Sequence, residues 1–217
     1  MSARCQLVIF DSDGTLVDSE RVSMSVWVEM AAEVGVVVDL DDAVSRWSGQ
    51  NLNVVIGELA AFRGAAIPDS FLDDFRIRQT ARLAAEVTPI DGAADVLRAL
   101  TSGTDAVACR VASNAPRAKV ELCLETCGLL EFFDSEHIFS AYDLGVWNPE
   151  PDLFQHVAAT VGVTGQQCAV VEDSDSGVAA GVAAGMEVFA YDPHAHFTST
   201  GGVTSMEDLR QLLDHLD

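Results

Sequence analysis

The sequence predicts a doubly wound α/β fold: a parallel sheet with helices on both faces, interrupted early by an all-helical insert. Three observations predict it. Gln6 to Phe10 is a continuous apolar run leading into Asp-Ser-Asp-Gly-Thr, and a run without alternation suits a central parallel strand buried on both faces. From Thr88 onward, strand-like and helix-like segments alternate, which implies parallel strands joined by helical crossovers. Between these regions, from about Ser19 to Val87, apolar residues recur at helical spacing. The expected organisation is a core of residues 1–17 and 88–217 with a helical block of residues 18–87.

In the block, Val22, Val26, Met30 and Val34 mark one helix face, Val55, Leu59 and Phe62 a second, and Phe71, Leu72 and Phe75 open a third that runs through Arg82. Breaks fall at Gly35, Gly49, Gly64 and Pro68. In the core, Ala93–Leu100 reads as a helix and Ala106–Ala112 as a strand ending in Ser113-Asn114. Pro116 suits the first turn of a helix that continues to about Cys127. A short strand near His137–Ser140 precedes Trp147-Asn148-Pro149-Glu150-Pro151 and another helix. Cys168–Val171 is a strand ending in Glu172-Asp173, Ser176–Ala184 a helix closed by Gly185, and Glu187–Ala190 the last clear strand. Met206–Leu216 reads as a terminal helix.

Composition limits the function classes. The chain has 217 residues, 49% of them hydrophobic, enough for a sizeable core and too many for a disordered protein. Twelve basic against 34 acidic residues give a net charge of −22, and Lys119 is the sole lysine. Such a field repels nucleic acid and anionic membranes, so neither is expected as a partner. No run of about 18 apolar residues suggests a membrane span, and MSARCQLVIF is too short an apolar start for a signal peptide. Five cysteines without framework spacing suit reduced thiols; Cys123 and Cys127, one helical turn apart, read as core residues. A cytoplasmic monomer is the expectation.

Ligands of a doubly wound sheet bind beyond the C-terminal strand ends. This chain places Asp11 and Asp13, Ser113 and Asn114, and Glu172 and Asp173 at three such ends. Carboxylates converging without basic partners repel one another unless a hard divalent cation sits among them, and oxygen ligands favour Mg²⁺. A carboxylate aimed at a phosphoryl group can act as nucleophile, and a second one two residues on can handle protons.

Those residues carry a resemblance. Asp11-Ser-Asp-Gly-Thr-Leu-Val, Val111-Ala-Ser-Asn, Trp147-Asn148-Pro149-Glu150-Pro151-Asp152 and Val171-Glu-Asp-Ser resemble the four motifs of the haloacid dehalogenase superfamily, in its helical-cap phosphatase and β-phosphoglucomutase-like branch. The Trp-x-Pro-x-Pro setting and Ser-Asn-x-Pro-x-x-Lys are similar to those of bacterial sugar-acid phosphatases of the 6-phosphogluconate type. The resemblance implies a Rossmann-like core with a helical cap and a Mg²⁺-dependent phosphatase acting on a small phosphorylated metabolite. Asp11 would form an aspartyl phosphate, and Asp13 would serve as acid and then base. Asp11, the Asp13 carbonyl and Asp173 would hold Mg²⁺, with Glu172 as ligand or close neighbour. Ser113, Asn114, Gly14 and Thr15 would cradle the phosphoryl oxygens, and Arg46, Gly49 and Gln50 would meet the rest of the substrate from the cap. Asp18-Ser19 and Val87-Thr88 would be the hinges.

The chain departs from the pattern at Asn148, where the family carries a lysine. An amide brings no full charge, and a lost donor of this kind costs on the order of 10²–10³ in rate. Three accounts stay open: a deliberate substitution, compensation by Lys119 or Arg117, or a feeble or non-catalytic phosphate-binding protein. Ser23 and Leu52 stand where the β-phosphoglucomutase group carries a cap His and a phosphate-gripping Arg, so hydrolysis outranks phosphomutase chemistry. Asp-Pro-His194-Ala-His196 reads as an ordinary loop.

Overall fold

The computed structural model describes residues 5–48, 50, 52–103 and 106–216. Its strands are β1 Leu7–Phe10, β2 Val17–Asp18, β3 Thr88–Pro89, β4 Ala108–Ser113, β5 Ile138–Ser140, β6 Cys168–Glu172, β7 Glu187–Tyr191 and β8 Val203–Met206. The helices are α1 Glu20–Glu33, α2 Leu40–Trp47, α3 Leu52–Arg63, α4 Phe71–Glu86, α5 Ala93–Thr101, α6 Arg117–Thr126, α7 Ala141–Leu144, α8 Asp152–Val161, α9 Asp175–Ala183 and α10 Leu212–His215. The chain divides into two compact units, residues 1–17 with 89–217, and residues 18–88.

The first unit is built on a six-stranded sheet in the order β5-β4-β1-β6-β7-β8. Every pairing in it is parallel, with Leu7 opposite Ala108 on one side and Cys168 on the other. The central β1 has all four residues at 1% exposure or less, which is why its sequence shows no alternation. Connections leave β1 toward β4 and β5, then return across it to β6, β7 and β8. The switch in direction therefore falls at β1 and opens a crevice beyond its C-terminal end. Helices α5, α6, α8 and α9 pack against the sheet. Leu7, Ile9, Val170, Val188, Phe154 and Leu153 form part of the main core beneath.

The second unit is all-helical. Trp27 is fully buried between Phe75, stacked at 4.3 Å, and Phe71, tilted at 5.5 Å. Met24, Met30, Trp47, Val55 and Leu59 complete that core. Ion pairs Arg82–Glu29 and Arg78–Glu33 tie α4 to α1 at the surface, where such pairs add little.

Two sequence expectations need correction. Val203–Met206 is a sixth strand and not loop followed by helix; the terminal helix is reduced to a 3₁₀ turn at Leu209–Gln211 and α10. Half its residues are polar and Gly201-Gly202 precede it, so its β signal is weak, and pairing to β7 supplies what propensity does not. Pro116 is the N-cap residue of α6 rather than part of its first turn, with extended backbone at ψ 138°.

Candidate active site

The loop after β1 is held by its own backbone. The Asp11 N–H donates to the Val171 carbonyl at 2.9 Å, continuing the β1–β6 ladder one residue past the strand. The N–H groups of Leu16 and Val17 both donate to the Ser12 carbonyl at 3.0 Å, and the Gly14 N–H to the Val17 carbonyl at 2.9 Å. Gly14 has φ +83°, and a Cβ there would collide with the Asp173 carboxylate. Glycine is thus required twice over, for its conformation and for the close approach. Thr15 is fully buried and donates its hydroxyl to Asp173 Oδ1 at 3.2 Å, so it orients that carboxylate.

The loop after β6 supplies the facing acids. Glu172 ends the strand at 2% exposure. Ser174 donates both its N–H and its hydroxyl to Glu172 Oε2, each at 2.9 Å. The same hydroxyl accepts from the Gly177 N–H at 3.1 Å and so caps α9. A Cβ on Gly177 would strike the Glu172 carboxylate, which explains a glycine in the first turn of a helix.

Among the described residues, Asp11, Glu172 and Asp173 form a metal-capable group, each offering an oxygen within 4.8 Å of the others. Burial, reinforced by Glu172, Asp173 and Asp13, raises the Asp11 carboxyl well above its ordinary value. Burial likewise pushes Glu172 up to about 7, although Ser174 and the Asp173 N–H pull the other way. Buried acids under such strain are what a positive charge between them would relieve.

Ser113, at 2% exposure, ends β4 and accepts a hydrogen bond from the Ala115 N–H at 3.1 Å. Asn114 Oδ1 accepts from the Asn148 N–H at 3.1 Å, joining the loop after β4 to the segment before α8. Asn148 precedes a cis bond to Pro149, and its amide oxygen is buried without a hydrogen-bond partner among the described residues. Lys119, in the first turn of α6, places Nζ 2.9 Å from Asp13 Oδ1. Arg117 instead donates to Asp143 at 2.7 Å and to the Ser135 carbonyl at 2.9 Å.

Asp11, Asp13, Gly14, Thr15, Ser113, Asn114, Asn148, Glu172 and Asp173 all belong to the first unit. Arg46 and Gln50 belong to the second. There Arg46 lies 3.8 Å from Glu58 and over the Phe62 ring at 5.3 Å, while the exposed Gln50 donates its N–H to the Trp47 carbonyl. Gly49 and Asn51 lie outside the described residues. Ser23 is buried in α1, donating to the Ser19 carbonyl and accepting from Gln79. His196 faces Asp175 at 3.4 Å, and its N–H is fixed on Asp192. No helix of the described residues is long and apolar enough to cross a membrane.

Sequence reasoning missed Ser174 as the residue that orients Glu172. Its position two residues after the acid and three before a glycine was the available signal, since that spacing fits a helix cap.

Comparison with known proteins agrees with this architecture. A family model for haloacid dehalogenase-like hydrolases matches residues 5–185. The 6-phosphogluconate phosphatase of Escherichia coli is 34% identical over 213 residues, covering 97% of this chain and 94% of its own. A fructose-1-phosphate phosphatase of the same organism is 27% identical over 180 residues, covering 83% of this chain and 93% of its own. A solved hydrolase from Deinococcus radiodurans, with bound phosphate and sodium, is 33% identical at a TM-score of 0.80, covering 99% of this chain and 97% of that one. A β-phosphoglucomutase-like structure from Thermotoga maritima, 20% identical at a TM-score of 0.78 and covering 97% and 98% of the two chains, shares the fold. The family match runs from just before β1 to just past α9 and so takes in every strand end that carries an acid of the site: this chain belongs to the haloacid dehalogenase-like hydrolases.

Proposed function

We propose that the protein is a Mg²⁺-dependent phosphatase that hydrolyses a small sugar or sugar-acid phosphate through an aspartyl phosphate on Asp11. The observation that carries this reading is the group Asp11, Glu172 and Asp173 at the switch point of the sheet. Three carboxylates, two of them buried and raised by burial, are an oxygen-only donor set that fits a hard divalent cation. Asp11, Asp173, Glu172 and the Asp13 carbonyl would hold it, and when bound it neutralises phosphoryl charge. The substrate class follows from the relatives, named for 6-phosphogluconate and fructose 1-phosphate.

In the first half-reaction an Asp11 oxygen attacks phosphorus, the phosphorus–ester oxygen bond breaks, and Asp13 gives its proton to the leaving oxygen. In the second, water attacks phosphorus, its proton goes to Asp13, and the Asp11–phosphorus bond breaks to release phosphate. Ser113 and the backbone amides after Asp11 and Ser113 would offer donors to the phosphoryl oxygens, so the chemistry rests on positioning and charge stabilisation. Every one of these groups lies in the first unit.

Phosphate release from a panel of small monoesters, including 6-phosphogluconate and fructose 1-phosphate, with and without Mg²⁺, tests the reading. Mg²⁺-dependent release that disappears in Asp11→Asn is expected; no release from any ester would overturn it. Asn148 favours one second reading, a phosphate-binding protein of low turnover, for which Mg²⁺ and phosphate would bind and no ester would be cleaved.

A further inference from the structure

The site carries a charge problem. Asp11, Asp13, Glu172 and Asp173 gather at one end of the sheet in a chain of net charge −22, and a phosphate ester adds more negative charge. At position 148, where the resemblance expects a lysine, the amide supplies no charge. Besides the metal proposed above, any side-chain cation that stabilises the phosphoryl group has to come from another position in the chain.

We infer that Lys119 is that cation: its ammonium, held at Asp13, stabilises the phosphoryl group in transfer in place of a basic residue at position 148. The assignment rests on the phosphatase reading above. Lys119 Nζ is 2.9 Å from Asp13 Oδ1, with the two side chains 23% and 16% exposed, so the pair is poorly screened. Asp13 must come within hydrogen-bond reach of the leaving oxygen to protonate it. An ammonium already on that carboxylate is therefore carried to the same phosphoryl group, and its three donors let it serve both.

The other described basic residues of the unit are engaged elsewhere. Arg98 faces Asp95, Arg210 binds Asp91, Asp95 and Asp208, and Arg110 donates to the Cys109 carbonyl. Arg117 sits two residues before Lys119 on α6, and residues at that spacing point to different faces of a helix. It is spent on Asp143 and Ser135.

The test compares the wild type with Lys119→Met, Lys119→Arg, Lys119→Met/Asn148→Lys and, as a control, Arg117→Gln. Each is measured for kcat and KM on the best ester of the panel, for inorganic phosphate binding in Mg²⁺ by calorimetry, and for unfolding temperature. Lys119→Met is expected to lower kcat on the order of 10²–10³-fold and to weaken phosphate binding. Lys119→Arg should keep most of both, Arg117→Gln should match the wild type, and Asn148→Lys should restore much of what Lys119→Met loses. Restoration from a different backbone position is the readout that a merely structural ion pair would not give. Unchanged kcat and phosphate affinity in Lys119→Met would overturn the assignment, as would a folded double variant with no recovery. Should Lys119→Met fold poorly, Lys119→Arg decides: a folded Arg variant that has lost phosphate affinity counts against it. A wild type that cleaves no ester removes the phosphatase reading, and Lys119 is then judged by phosphate affinity alone.

Discussion

Ser174 donates both its N–H and its hydroxyl to one oxygen of Glu172, each at 2.9 Å, while its hydroxyl also accepts the N–H of Gly177. One side chain thus starts α9 and fixes a buried acid of the site.

Ser174→Ala removes the hydroxyl and leaves the backbone donor. Losing a helix cap costs about 1 kcal/mol, and loosening a group that orients a ligand costs about 10–100-fold in metal affinity. A modest fall in unfolding free energy with a much larger fall in Mg²⁺ affinity is expected, read by urea titration and calorimetry. Equal Mg²⁺ affinity in the two proteins would remove Ser174 from the site.

Gly177→Ala sets two effects against each other. Alanine favours a helix over glycine by about 1 kcal/mol, yet its Cβ would collide with the Glu172 carboxylate. The neighbour is a buried side chain held by Ser174, so the clash is expected to win. The variant should be less stable than the wild type and bind Mg²⁺ more weakly. A more stable variant with normal Mg²⁺ binding would show that Glu172 can move aside.

The strained acids predict a stabilising metal. Mg²⁺ at a hundred times its Kd stabilises by about 2.7 kcal/mol, roughly 5–10 °C in unfolding temperature for a chain of this size. A chelator should reverse the shift. Asp11→Asn, which removes a buried carboxyl raised by burial and by its acidic neighbours, should unfold at a higher temperature than the wild type without metal. It should gain less from Mg²⁺ and release no phosphate.

Asp192, at 3% exposure, accepts the N–H groups of His196 at 2.7 Å and Phe197 at 2.6 Å and the Ser205 hydroxyl at 3.2 Å. Burial acts to raise its pKa, but these donors outweigh burial and hold it below the ordinary value of 3.8. The contribution of the carboxylate is therefore complete above that value and is lost as pH falls through the lower, folded one. Asp192→Asn should cost about 1–3 kcal/mol at pH 7, and the gap from the wild type should narrow as pH falls below 3.8. A gap that is constant with pH, followed by urea unfolding, would show that the loop is not held through this charge.

Much of the fold was legible because its cues are local. The apolar run before Asp11 marks a strand buried on both faces, and Gly35, Gly64 and Pro68 punctuate the helical unit between elements that the structure places at α1, α3 and α4. β8 was not legible: Val203-Thr-Ser-Met has little strand character, and it becomes a strand by pairing with β7 and burying Met206. Ser174 was missed because a serine at a helix start looks like any cap until the acid it also holds is seen.

By itself, then, the sequence determined the identity of the acids and the strand ends that carry them, since an apolar run and the polar turn that closes it are neighbours along the chain. It also offered Lys119 and Arg117 as equal candidates to replace a missing cation. Only the tertiary structure separated them: the seating of α6 beside β5 sends Lys119 to Asp13 and Arg117 to Asp143. The direction in which a helix turns its faces is set by what it packs against, and that is written across the whole chain rather than in the helix.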